Sequence, residues 1–211
     1  MCRFLIVKGK GEFKVKPFLE KFARACRENK IFQGDGWGLA LFRGNNFLLY
    51  KNIKPIWEDR LDWFDKADFL VAHARSAFEE GDLRIEANIP FKQKDILFVF
   101  NGELRKVRIA EKGCSGAEKL FNFVRKFIDQ SPEEGIKKAI EIIKRKTALI
   151  KALNFAFILK KRIYLYSYFS QQREYFSLKF FREGKFTVIC SEKIFPEIEW
   201  LEIKNDSLEV F

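Results

Sequence analysis

A chain of 211 residues with one histidine, one methionine, five prolines and four cysteines excludes several functions by what it lacks. Cys2, Cys26, Cys114 and Cys190 form no CxxC or CxxH pair, and His73 alone cannot complete a zinc set. Neither a metal nor a cofactor is expected. No apolar run approaches the ~18 residues of a membrane-spanning helix, and no charged and apolar leader precedes a cleavage site. The chain is therefore expected to be soluble and cytoplasmic, with reduced thiols and no membrane partner. Repeats, low-complexity tracts and linkers are also missing, so a single domain over residues 1–211 is expected.

What is present is a large apolar complement, with 47% hydrophobic residues and 25 phenylalanines, ample for a substantial core. Lys and Arg number 40 against 29 Asp and Glu, a net charge of +11. The basic residues are interspersed with acidic ones, as where Lys137-Lys138 follow Glu133-Glu134. Lys144-Arg145-Lys146 fall where a helix would end and there favour its dipole. Without a basic block, nucleic acid is not the expected partner.

The apolar spacing predicts an opening strand behind Cys2, then a turn at Gly9-Lys10-Gly11. A helix starting at Pro17 buries Phe18, Leu19, Phe22, Ala23 and Cys26. Residues 39–42 and 47–50 read as a hairpin, 69–72 as a buried strand, and 96–100 as another that ends at Asn101-Gly102. Gly113-Cys114-Ser115-Gly116 leads into a helix. Ser131-Pro132-Glu133-Glu134 has the form of a capping box opening a further helix. Strands are then expected over 155–159, 162–169, 174–181, 185–190, 200–203 and 208–211. This order suggests α+β architecture with two antiparallel sheets packed face to face and helices outside.

Candidate chemistry begins at Cys2. Removal of Met1 would leave a thiol and a free α-amine on one residue, the amine serving as the local base for the sulfur. The ordinary reading is a small buried hydrophobe in a strand. Cys26 and Cys190 lie on apolar stripes and read as packing. His73 and Arg75 close a buried strand, an address where sites are often built, although either could be structural. Asn101-Gly102 has an ordinary reading as a turn. Its functional reading is an oxyanion hole made by the Asn101 side-chain amide and the Gly102 backbone N–H.

Met1-Cys2-Arg3, Asp35-Gly36-Trp37-Gly38, His73-Ala74-Arg75, Asn88-Ile89-Pro90-Phe91 and Asn101-Gly102-Glu103-Leu104 occur in the order and spacing of class II glutamine amidotransferase domains. The chain resembles these N-terminal-nucleophile (Ntn) hydrolases over nearly its whole length. It is most similar to the small stand-alone branch of predicted amidotransferases that includes the γ-glutamyl hydrolase of ergothioneine synthesis.

The resemblance implies a four-layer αββα sandwich. It also implies Cys2 as nucleophile, Asn101 and Gly102 as oxyanion hole, Arg75 as the holder of the substrate α-carboxylate, Gly36 and Trp37 as pocket wall, and His73 in support. The implied substrate is glutamine or a γ-glutamyl amide, with a separate ammonia-acceptor subunit or plain hydrolysis. One departure stands out. Gly116 occupies the position of the Asp that binds the substrate α-ammonium in relatives, with Glu118 and Glu79 as possible substitutes. The alternative function is a catalytically silent domain that binds a partner or nucleic acid.

Overall fold

The computed structural model describes residues 2–29, 31–77, 84–128 and 131–211; Glu79 lies outside them. In chain order the elements are β1 (Arg3–Lys14), α1 (Lys16–Glu28), β2 (Trp37–Arg43), β3 (Asn46–Asn52), β4 (Lys66–Ala74), β5 (Phe91–Gln93) and β6 (Ile96–Val107). They continue with α2 (Gly116–Val124), α3 (Pro132–Lys146), β7 (Thr147–Leu159), β8 (Arg162–Ser167), α4 (Arg173–Phe176), β9 (Lys179–Glu183), β10 (Phe186–Cys190), β11 (Leu201–Glu202) and β12 (Ser207–Val210). The class is α+β with two antiparallel sheets, as expected.

Met1–Pro90 with Ser177–Ile203 forms one compact unit. Its seven strands run in the order β11-β9-β10-β1-β4-β2-β3. Alternation along the strands sends Leu5, Val7, Leu39, Leu41, Leu70, Ala72, Val188 and Cys190 to one face. There they bury against Phe18, Leu19, Phe22, Ala23 and Cys26 of α1. The alternate residues Phe4, Ile6, Phe69, Val71, His73 and Ile189 are also buried, which explains why these strands read as continuous apolar runs. Both Cys26 and Cys190 are core packing, as read from their stripes.

The Gly9-Lys10-Gly11 turn does not form. β1 runs through it, and its pairing with β4 slips between Lys8 and Phe13. Glycine suits position 9 of that bulge, because a Cβ on Gly9 would lie 2.5 Å from the Gly11 carbonyl oxygen.

Phe91–Phe176 with Lys204–Phe211 forms the second unit, a five-stranded sheet in the order β12-β8-β7-β6-β5. Here β6 continues through Asn101-Gly102 instead of turning. Its long pairing with β7 outweighs the local turn preference. The β7–β8 hairpin turns at Lys160-Lys161, both with positive φ (47° and 63°).

Two further expectations change. The capping contact at Ser131 is absent, and Glu133 and Glu134 pair with Lys137 instead. A reciprocal cap forms at Ser115, whose Oγ accepts from Glu118 N–H (3.2 Å) while Glu118 accepts from Cys114 N–H (2.5 Å). The strand expected over 174–181 begins as the helical turn α4, because the Phe176 carbonyl is taken by the Asn154 side chain (2.7 Å), and only Lys179–Glu183 pairs as strand.

Candidate active site

In the first unit, Cys2 immediately precedes β1 and is half-buried. Its Sγ lies 3.9 Å from the Ser76 carbonyl oxygen, just beyond the end of β4. This closeness follows from register, since Arg3 pairs with Ala74 and Phe4 with His73. Burial pushes the Cys2 thiol above the ordinary thiol range, and the nearby Arg75 guanidinium acts against that shift.

Arg75 is 8% exposed, and its backbone is clamped by the glycine turn. Arg75 N–H donates to the Gly36 carbonyl (2.8 Å), and Asp35 N–H donates to the Arg75 carbonyl (3.1 Å). The Asp35 carboxylate accepts from Ala77 N–H (2.7 Å). Asp35 thus secures the segment facing Cys2, a role its place in a turn motif did not disclose.

Gly36 has φ +99°, and a Cβ there would lie 2.5 Å from Asn88 Nδ2 and 2.8 Å from the Asn52 carbonyl oxygen. Asn88 in turn donates to that Asn52 carbonyl (2.8 Å). A Cβ on Gly38 would lie 2.6 Å from the Ile89 carbonyl oxygen. The Asp35-Gly36-Trp37-Gly38 and Asn88-Ile89 motifs are therefore packing partners.

The Trp37 indole is fully buried in the core on the α1 side, edge-on to Phe64 and donating to Asp59 (2.8 Å). His73 is fully buried on the other face of β4, opposite Phe4 and Gly38.

In the second unit, Asn101 and Gly102 sit mid-strand in β6. A Cβ on Gly102 would lie 2.3 Å from the Ala152 carbonyl oxygen, next to the slip in β6–β7 pairing after Glu103. Asn101 is fully buried, yet among the described residues neither its Nδ2 nor its Oδ1 has a hydrogen-bond partner. Leaving such groups unpaired costs about 1–3 kcal/mol each. Gly116 opens α2 with open space around its α-carbon, and Glu118 is engaged in the cap. No group of three or more His, Cys, Asp or Glu among the described residues is placed to hold a metal. No helix there is long and apolar enough to cross a membrane.

No protein-family model and no curated protein sequence matches the chain. Solved structures do. Glutamine phosphoribosylpyrophosphate amidotransferase from B. subtilis superposes with TM-score 0.69 at 15% identity, over 100% of this chain and 49% of that one. A glutamine aminotransferase class-II domain protein from Silicibacter pomeroyi gives 0.67 at 19% identity, over 97% and 92%. A protein described as a predicted glutamine amidotransferase from Pseudomonas aeruginosa gives 0.61 at 15%, over 100% and 97%. The chain thus spans about half the length of the B. subtilis enzyme and nearly all of the other two. Its fold is that of class II glutamine amidotransferase domains.

Proposed function

We propose that residues 1–211 act as one glutamine amidotransferase-like domain that hydrolyses the side-chain amide of glutamine or of a γ-glutamyl compound. The fold supports this class of reaction. The single observation that carries the reading is the Asn101 amide, buried with both ends unpartnered among the described residues. A folded protein retains such a cost where the group meets a partner only during the reaction, as an oxyanion donor does.

In this reading Met1 is removed, and the freed α-amine of Cys2 accepts the thiol proton. The thiolate attacks the amide carbonyl carbon, and the negative charge collects on the carbonyl oxygen, stabilised by the Asn101 amide and the Gly102 N–H. Collapse of this intermediate breaks the C–N bond. The protonated amine gives its proton to the departing ammonia or amine, leaving a γ-glutamyl thioester. Water then adds to the thioester and releases the acid and the thiol. Arg75 holds the substrate α-carboxylate through its guanidinium fork, Gly36 and Trp37 form wall by their backbone, and His73 supports Arg75. Ammonia passes to a separate acceptor subunit or is simply released.

Cys2→Ala is expected to abolish amide hydrolysis, and full turnover in that variant refutes the assignment. Intact mass after treatment with a glutamine-mimicking electrophile reports Met1 loss and the adduct on Cys2 together.

A second reading is favoured by Gly116 and by the engagement of Glu118 in the α2 cap, so that neither of these two described positions offers an unengaged carboxylate to an α-ammonium. It is a silent domain binding a partner through its positive charge. Absence of Cys2 labelling with salt-sensitive RNA retention would select it.

A further inference from the structure

We infer that Arg3, held by Glu192 and Ser191, is the positioning residue that fixes Cys2 for reaction; this rests on the function proposed above. The free end of a strand normally frays, yet here the first residue beyond the proposed nucleophile is gripped from two sides. On one side Arg3 pairs with Ala74 of β4. On the other, the segment following β10 folds over it. Arg3 is 2% exposed, with Nη2 3.0 Å from Glu192 Oε2 and Nη1 donating to the Ser191 carbonyl (3.3 Å).

The same segment holds the next residue. Phe4 N–H donates to Ser191 Oγ (3.1 Å), and Ser191 N–H donates to the Phe4 carbonyl (3.0 Å). Glu192 is itself braced, accepting from the side-chain amide of Asn29 (3.1 Å), the residue that closes α1. Strand, helix end and post-strand segment therefore meet at one ion pair, buried on its Arg3 side and partly exposed on its Glu192 side.

The geometry suits arginine and not lysine. A planar fork bonds a carboxylate with one nitrogen and a carbonyl with another, which a single ammonium cannot do in the same orientation. Cys2 is attached directly to this anchor, so the directions open to its side chain are limited, and its Sγ lies near the Ser76 carbonyl. Placement of reacting groups within fractions of an ångström is worth orders of magnitude in rate.

The test compares Arg3→Lys and Glu192→Gln with the parent protein and with Arg43→Gln, which removes an exposed pair with Glu12. Measured are kcat and KM for glutamine hydrolysis, the rate of Cys2 alkylation by iodoacetamide, and amide exchange at Phe4. In both site variants kcat is expected to fall about tenfold or more with KM within about twofold. Phe4 exchange and Cys2 alkylation should change in step, while Arg43→Gln matches the parent. Faster Phe4 exchange with unchanged kcat would reduce the grip to a structural contact and overturn the proposal. So would unchanged values of all three quantities. If Cys2→Ala leaves turnover intact, the functional reading itself fails. Alkylation and exchange then decide the anchor separately, and no change in either overturns it.

Discussion

Asn101 and Asn154 stand opposite one another in the β6–β7 register, both fully buried, and only Asn154 is satisfied. Its Nδ2 donates to the Phe176 carbonyl (2.7 Å), and its Oδ1 accepts from Ser167 Oγ and Tyr168 N–H (3.1 Å each). Two identical side chains at paired positions thus have opposite energetics. One holds α4 and β8 to the sheet, while the other has no such structural bond among the described residues.

Replacing each by leucine separates the two roles. Asn154→Leu strands three partners, two of them (the Phe176 carbonyl and Ser167) on buried residues, and should cost about 2–3 kcal/mol, lowering Tm by several degrees in a thermal melt. Asn101→Leu removes unpaired polar atoms and should leave Tm within a few degrees of the parent. It should lower kcat for amide hydrolysis by about 10²–10³, the loss typical of one oxyanion donor.

Gly135 in α3 tests sterics against helix propensity. Alanine in a helix interior is ordinarily favoured over glycine by about 1 kcal/mol. At this position a Cβ would lie 1.8 Å from the Phe127 carbonyl oxygen. Gly135→Ala is therefore expected to destabilise by about 1–3 kcal/mol, the range for forced overpacking. A raised Tm would contradict the close approach.

Asp59 gives the protein an acid-sensitive contact. Burial pushes its carboxyl up. Hydrogen bonds from Tyr50, Trp37 and Asn52, with Arg60 N–H on the other oxygen, outweigh burial and hold it below the usual carboxylate range. A depressed folded pKa contributes stability that is present above the unfolded value of about 3.9 and is lost as pH falls through the folded value. Stability should therefore decline below about pH 4, and Asp59→Asn should flatten that decline in acid titrations followed by fluorescence.

For Arg75 the expected change lies in binding. Lysine keeps the charge but loses the fork. Arg75→Lys should raise KM for glutamine more than it lowers kcat, as steady-state kinetics would reveal. Equal loss in kcat and in kcat/KM would instead place Arg75 in the chemical step.

Local pattern alone determined much of this protein. The 3.6-residue stripe of α1, the short apolar runs of β2 and β4, and the α3 end at Lys144-Arg145-Lys146 depend on near neighbours in the chain, so they are legible in the sequence alone. The motif order likewise pointed to a class II amidotransferase fold. Only the tertiary structure decided that Asn101-Gly102 continues a strand, because eleven pairings with β7 override a two-residue turn preference. It alone decided that the Trp37 indole is core, and that Asn101 and Asn154 differ in satisfaction. It also joined Arg3 to Glu192, far apart in sequence, because a buried charge must find its partner wherever the chain folds back.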